Sequence, residues 1–442
     1  MSSQTVVEPV PQSAPPIWLR WTVMLFLALA MFGNYYIYDS LSPVADLLKS
    51  QLGFSDAQIG LLNTFYSLAS IPFLFLGGIL IDRLGIRKGI LLFTAFAVLG
   101  SLVMALGGGF AVMGVGRGLF GMGAEAMIVA ITAALAKWFK GKELGLAFGL
   151  NLMVGRFGSW MAFRSTGFAE SLYDDWQWPL LLAAGIGLTC LIGALVYWIL
   201  ESGAEKNYRL GKAGETDQLV LGEMFKFKRS YWYIVALCAT FYSAVFPFQT
   251  FMVKFLMESH GLERDTAGAM GSWLPFISMI FTPIFGLASD WFGKRSYMMM
   301  FGSILLLPVY LMLVYTPITP YIPFAMLGIA YSLIPAVMWP SVAYVVKESR
   351  LGTAYALMTM IQQLGVALFN FLVGSANDYQ MAGPDNPSGY GLGMWLFSVL
   401  GFVGLFFAFQ LRRAEAGPEG HGLDTIRAGS PKPPGDPDPT HS

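Results

Sequence analysis

Two charged side chains fall near the middle of long apolar runs, Glu125 in a run from about 110 to 136 and Arg156 in a run from about 143 to 169. A charge at the centre of a bilayer costs about 2.5–3.5 kcal/mol on insertion scales, so each requires a partner, a wet cavity or a task. A carboxylate can receive an ammonium or exchange a proton, and a planar guanidinium suits a bidentate grip on a carboxylate. Together they fit a small zwitterion; the plain alternative is an ion pair that fixes two helices. Arg117, Arg164 and Lys254 lie nearer the ends of such runs and Asp39 closes the first. Packing for Arg117, snorkelling for Lys254 and an interfacial place for Asp39 compete there with ligand contact. Tyr35, Tyr38, Tyr242, Phe246, Tyr331, Trp339, Tyr355 and Gln362 stand in the same set of runs, fit to wall a pocket or simply to fill a core. Pro247, Pro283 and Pro340 interrupt runs and mark candidate bending points.

Other chemistry is poorly supplied. Of 442 residues 55% are hydrophobic and 12% charged, so lipid is the expected solvent. Net charge is zero, which gives no reason to expect a nucleic-acid partner. Cys190 and Cys238 sit inside apolar runs without metal-ligand spacing, and His260, His421 and His441 lie in a loop and in the polar tail. No metal, cofactor or catalysis is therefore expected.

The elements that must position the charges are apolar runs of about 20 residues, each long enough to cross a membrane. They read as helices near 18–40, 56–81, 88–107, 110–136, 143–169 and 178–200, then 230–257, 266–288, 296–315, 321–345, 351–375 and 391–411. This predicts an all-α membrane protein of twelve spans in two six-helix bundles, 18–200 and 230–413, joined by a cytoplasmic linker 201–229. The stretches 1–17 and 414–442, rich in Pro, Gly and polar residues, read as disordered cytoplasmic tails. With the N-terminus inside, the inner loops carry nearly all the basic residues and the opposite loops only Lys49 and Arg264, which satisfies the positive-inside rule and puts both termini in the cytoplasm.

The halves echo each other. Gly78-x-x-x-Asp82-x-x-Gly85 ends the second run and Gly286-x-x-x-Asp290-x-x-Gly293 the eighth; Glu143-Leu-Gly145-Leu-Ala147 and Arg350-Leu-Gly352-Thr-Ala354 open the fifth and eleventh. Two matches at nearly one offset indicate parallel six-helix repeats. The first loop in full, Gly78 through Asp82-Arg83-Leu-Gly85-Ile-Arg87-Lys88, resembles the signature of the major facilitator superfamily. The resemblance implies a latch that stabilises one access state, with glycine admitting a neighbouring helix and aspartate meeting a helix N-terminus.

Longer strings are similar to one branch of that superfamily, the lysosomal dipeptide uniporters: Asn34-Tyr-Tyr-x-Tyr38-Asp39, Gly116-Arg117-x-x-Phe120-Gly-x-Gly123-x-Glu125, Trp138-Phe-Lys-Gly-Lys-Glu-Leu144, Ala244-Val-Phe-Pro-Phe248, Trp339-Pro340 and Leu351-Gly-Thr-Ala-Tyr355. This likeness implies a dipeptide substrate moved by alternating access, with Glu125 receiving the peptide ammonium and Arg156 its carboxylate. Arg164 departs from the pattern of the branch, which has a neutral polar residue there. No acidic dileucine signal precedes the first run, so a bacterial plasma membrane is expected rather than a lysosome. Eukaryotic members of the branch work with a glycosylated accessory subunit, and nothing in this sequence tests for one. The competing expectation is a proton-coupled carrier or exchanger of small organic anions, with Glu125 protonated and Arg156 on the anion. A sensor or scaffold that moves no solute is a third, disfavoured by loop signatures in both halves.

Overall fold

Helix α1 covers Ile17–Asp39, α2 Ala45–Leu52, α3 Asp56–Leu84, α4 Ile86–Gly107, α5 Phe110–Phe139, α6 Leu144–Phe168 and α7 Gln177–Asn207. The second series is α8 Arg229–His260, α9 Arg264–Gly271, α10 Trp273–Phe292, α11 Arg295–Tyr315, α12 Tyr321–Val345, α13 Leu351–Tyr379 and α14 Gly391–Glu415. These come from a computed structural model that describes residues 14–139, 143–208, 210, 227–347, 350–418 and 420–427. Residues 1–13 of the expected tail 1–17, most of the expected linker (211–226), the loop residues Lys140 and Lys142, and 428–442 lie outside the described residues.

Among the described residues, eleven helical segments are long and apolar enough to cross a membrane. The twelfth expected span is α6, whose 25 residues give a length of roughly 37 Å. Its apolar character is diluted by Asn151, Arg156 and Arg164, the cost of carrying a charge at its centre. The eighth span departs from the single helix expected over 266–288, because the chain breaks at Ser272 into α9 and α10.

Local signals explain the boundaries. Helix α3 starts on a capping box, in which Gln58 N donates to Ser55 Oγ at 3.2 Å and Ser55 N to Gln58 Oε1 at 3.0 Å. Glycines at φ +82° (Gly85) and +66° (Gly293) end α3 and α10, a backbone state that other residues enter at a cost. Apolar side chains such as Leu25, Leu76, Leu195, Ile284, Leu287 and Phe402 stay exposed on the perimeter, as lipid contact demands and water would penalise.

The two series pack alike. In the first, the strongest partnerships are α4 with α5, α3 with α5, α1 with α6, α1 with α7 and α4 with α7. In the second they are α11 with α12, α10 with α12, α8 with α13, α8 with α14 and α11 with α14, the same five pairs after one six-span shift. The repeat seen in the loops thus extends to the packing. Across the halves, α3 lies along α13 and α6 against α9 and α10, again repeat-related partnerships.

Candidate functional site

Glu125 on α5 and Arg156 on α6 are both half-buried and are not ion-paired with each other. Each is held instead by neutral groups. Glu125 Oε1 accepts from the Tyr66 hydroxyl at 2.9 Å and from Gln363 Nε2 at 3.0 Å, which leaves Oε2 for a further donor. Arg156 Nη1 donates to the Tyr331 hydroxyl, and its guanidinium lies 4.8 Å from the Tyr331 ring centre and 5.4 Å from that of Tyr35. Its Nε and Nη2, the edge that grips a carboxylate, carry none of these bonds.

The repeat gives these contacts a pattern. At the offset of 207 that separates Gly145 from Gly352, Glu125 maps onto Ser332 and Arg156 onto Gln363. Glu125 therefore bonds the counterpart of Arg156, while Arg156 bonds Tyr331, next to the counterpart of Glu125. The two cross-half contacts are related by the same pseudo-symmetry as the helices.

Aromatic side chains from both halves surround the pair. Tyr242 and Phe246 on α8 stack at 5.3 Å with planes 12° apart, and Tyr38 on α1 meets Phe246 edge-on at 5.7 Å. Trp339 Nε1 donates to the Tyr242 hydroxyl at 3.0 Å, and Trp339 stacks on Tyr355 at 6.0 Å. Tyr38, Tyr242, Phe246, Tyr331, Trp339 and Tyr355 are thus joined into one wall. Gln362 is not the glutamine that reaches Glu125; it is buried and faces Cys238, whose Sγ lies 3.5 Å from its Oε1, while Gln363, one residue on, makes the contact. Arg117 is buried and donates to the Tyr38 carbonyl at 3.2 Å, a packing role. Asp39 is also buried rather than interfacial.

Lys254 is the expected site residue that the fold sends elsewhere. It lies eight residues beyond Phe246, about 12 Å further along α8, with no exposure, and its Nζ bonds Asp56 Oδ2 at 3.0 Å, Glu258 Oε2 at 3.0 Å and the Tyr390 hydroxyl at 2.6 Å. A buried ammonium so enclosed has no donor left for a ligand. It belongs to a closure at the end of the bundle where α3 begins. There Lys49 Nζ bonds Asp56 Oδ1 at 3.1 Å and the Ala382 carbonyl at 3.0 Å. Asp378, at the end of α13, accepts from the backbone N–H of Asp56 and of Ala57 at 2.8 Å each, an anion seated on a helix N-terminus. Arg264 forks Asp46 at 2.7 and 2.5 Å and donates to the Pro43 carbonyl at 2.8 Å. Backbones also touch: a Cβ at Gly60 would stand 2.1 Å from the Asn370 carbonyl oxygen, and one at Gly374 2.3 Å from that of Asp56.

At the opposite end, the loop signatures bond differently from the expected latch. A Cβ at Gly78 or Gly286 would meet nothing within 4 Å; the close approach is at Gly77, where Ala126 Cβ would lie 2.9 Å away. Arg87 bonds Ser202 at 2.6 Å and Glu205 at 2.8 Å on α7, within its own half. Asp290 pairs with Arg295 at 2.9 Å, while Asp82, Arg83 and Lys88 are exposed. Gly78 and Gly286 thus each have open space beside them in this conformation.

The expected disorder after 414 is corrected for part of that stretch. Beyond α14, residues 420–427 fold back onto the loop between α10 and α11: Asp424 accepts from Ser296 N at 2.9 Å and Ser296 Oγ at 2.5 Å, and Arg295 donates to the Ile426 carbonyl at 2.7 Å. Leu423 is fully buried, and Glu415 ties Ser230 (2.7 Å) to His421 (3.0 Å). Two apolar anchors and one helix-capping aspartate suffice to order a segment whose average composition is polar.

The Major Facilitator Superfamily model matches residues 27–370 and 249–427. The human lysosomal dipeptide transporter MFSD1 is 35% identical over 378 residues, 81% of this chain and 80% of its own, and the Danio rerio protein of the same name is 35% identical over 377. The hexuronate transporter of Escherichia coli K12 is 22% identical over 388 residues, 81% of this chain and 88% of its own. Among solved structures, a bacterial homologue of the human lysosomal transporter Spinster, inward-facing and unoccupied, superposes with a TM-score of 0.69 at 18% identity, over 90% of this chain and 98% of that one. A D-xylose–proton symporter gives 0.69 at 15%, over 88% and 97%. With an all-helical two-fold repeat, a central charged pair and these matches, the chain belongs to the major facilitator superfamily and is a multi-pass membrane transporter, not an enzyme.

Proposed function

We propose that this protein carries dipeptides across a membrane by alternating access, as a uniporter, with the peptide ammonium on Glu125 Oε2 and the carboxylate on Nε and Nη2 of Arg156. The observation that carries the reading is that the acid and the base each bond an uncharged partner from the opposite half, Gln363 and Tyr331, with Tyr66 of its own half also on the acid, and are not spent on each other. A zwitterion entering a site of low dielectric must replace water at both ends, and two separated, half-satisfied charges offer that replacement. The 35% identity to proteins named as dipeptide transporters supports the same substrate. The aromatic wall offers apolar and polarisable surface to varied side chains.

The closure through Asp56, Lys254 and Asp378 reads as the shut gate, and the end with open space beside Gly78 and Gly286 as the open one. The positive-inside charge asymmetry supports a cytoplasmic open side with both termini there, and the membrane proposed is a bacterial plasma membrane. In the alternate state the Asp82 and Asp290 loops would close as latches.

Uptake into liposomes holding the purified protein tests this. Dipeptides should compete for uptake and free amino acids should not, and an imposed pH gradient should leave the rate unchanged. Competition by monocarboxylates or sugar acids alone would replace the reading with an organic-anion carrier, and acceleration by the gradient would replace uniport with proton coupling.

A further inference from the structure

Between α1, α3 and α8, on the closed side of the Tyr38–Phe246 pair, lies a cavity with about 10 Å³ of room for the centre of a water-sized sphere, enough for one small occupant. Its polar lining is Asp39, Ser42, Asn63, Gln249 and Thr250. Three of these side chains, each more than nine-tenths buried, have an oxygen without any hydrogen-bond partner: Ser42 Oγ, Asn63 Oδ1 and Gln249 Oε1. Buried polar atoms are rarely left so, and their convergence on one cavity, beside a carboxylate, asks what fills it.

The surrounding bonds fix which atom of Asn63 is presented. Asn370 Nδ2 is committed to the Val366 carbonyl at 3.0 Å, so Asn370 Oδ1 takes the Thr250 hydroxyl proton at 2.8 Å. Thr250 Oγ1 must then accept from Asn63 Nδ2, at 2.7 Å, which leaves Asn63 Oδ1 as the unpartnered atom. The lining therefore offers Asn63 Oδ1, Gln249 Oε1 and the Asp39 carboxylate as acceptors, with the Ser42 hydroxyl free to turn its oxygen toward an occupant. It also sits at the C-terminal end of α1, where the helix dipole is negative, a setting in which transporters hold small cations. A water has two hydrogens for the Asp39 carboxylate and two amide oxygens together, whereas a hard cation takes every oxygen as a ligand. One carboxylate, with Arg117 and Arg156 already among its electrostatic neighbours, does not balance a divalent ion.

We propose that this cavity binds one monovalent cation, Na⁺, through Asp39, Ser42, Asn63 and Gln249. Because Gln249 belongs to the second half and the other three to the first, an ion there ties the halves together on the side already closed.

Thermal unfolding of the purified full chain in detergent, without substrate, in sodium, potassium and choline chloride at one ionic strength, is the test. Sodium should raise the melting temperature saturably and the other two should not. The response should vanish in Gln249→Leu and in Asp39→Asn. Equal melting in the three salts would assign the cavity to water, and a sodium response retained in both variants would move the ion elsewhere; either overturns the proposal. If one of these variants does not fold, Ser42→Ala takes its place, and a sodium response it retains likewise overturns the site. No dipeptide enters the measurement, so its failure leaves the substrate assignment standing.

Discussion

Glu125 on the fifth helix accepts a 3.0 Å hydrogen bond from Gln363 on the thirteenth, and Gln363 is the residue that the internal repeat pairs with Arg156. Substrate charge and conformational change therefore meet at one bond: a ligand ammonium drawing on Glu125 alters a contact that joins the halves. A carrier needs such differential contact, since a ligand bound equally in both states shifts nothing.

Arg156→Lys keeps the charge and removes the fork. Losing one charge-assisted hydrogen bond of about 1.5–3 kcal/mol predicts a KM for dipeptide uptake raised roughly 10- to 100-fold. Concentration-dependent uptake in liposomes measures it, and an unchanged KM would remove Arg156 from the carboxylate.

Glu125→Gln preserves an acceptor for Tyr66 and removes the charge. Uptake of zwitterionic dipeptides should fall by at least about tenfold, the value of a charge-assisted bond of about 1.5 kcal/mol. N-acetylated dipeptides, which lack the ammonium, should compete poorly against wild type. Equal competition by capped and free peptides would take Glu125 out of the recognition.

Lys254→Met leaves Asp56 with Lys49 as its remaining cation and Glu258 with the Tyr390 hydroxyl alone in a buried cluster. Breaking one side of such a network costs about 3–5 kcal/mol, so the melting temperature should drop sharply, and adding Asp56→Asn should restore part of it. Additive losses in the double variant would mean that the two residues do not act as a pair.

Asp424→Ala removes the cap on the eleventh helix. A loss of about 1 kcal/mol is expected, together with faster trypsin cleavage at Arg295 as the loop loosens. Cleavage at the wild-type rate would show that the folded-back segment does not protect the loop.

Much of the fold was legible because lipid imposes long apolar runs and the repeat doubles the evidence. Glu125 and Arg156 stood out for the same reason, as charges where charges are expensive. Less legible were the neutral partners. Tyr66 and Gln363 look like any polar residue in a helix, and choosing Gln362 over its neighbour is an error of 100° in helical phase that apolar spacing did not settle. Lys254 misled because a buried lysine reads alike in a binding site and in a gate; only the fold reveals that Asp56, 198 positions away, is its partner. Lys49 and Arg264, the two basic residues left on that side by charge asymmetry, both bridge the halves, so their rarity was itself a signal. The ordered stretch around Asp424 escaped because composition averages away a few anchoring residues.

The main-chain contacts at Gly60 and Gly374 bear on leakage. Where bare backbone abuts bare backbone, no side chain has to fold aside for the seam to shut, and even a proton finds little space to pass. One added methyl at either position would wedge the seam ajar, and a carrier that moves solute one cycle at a time would begin to short-circuit the membrane it sits in.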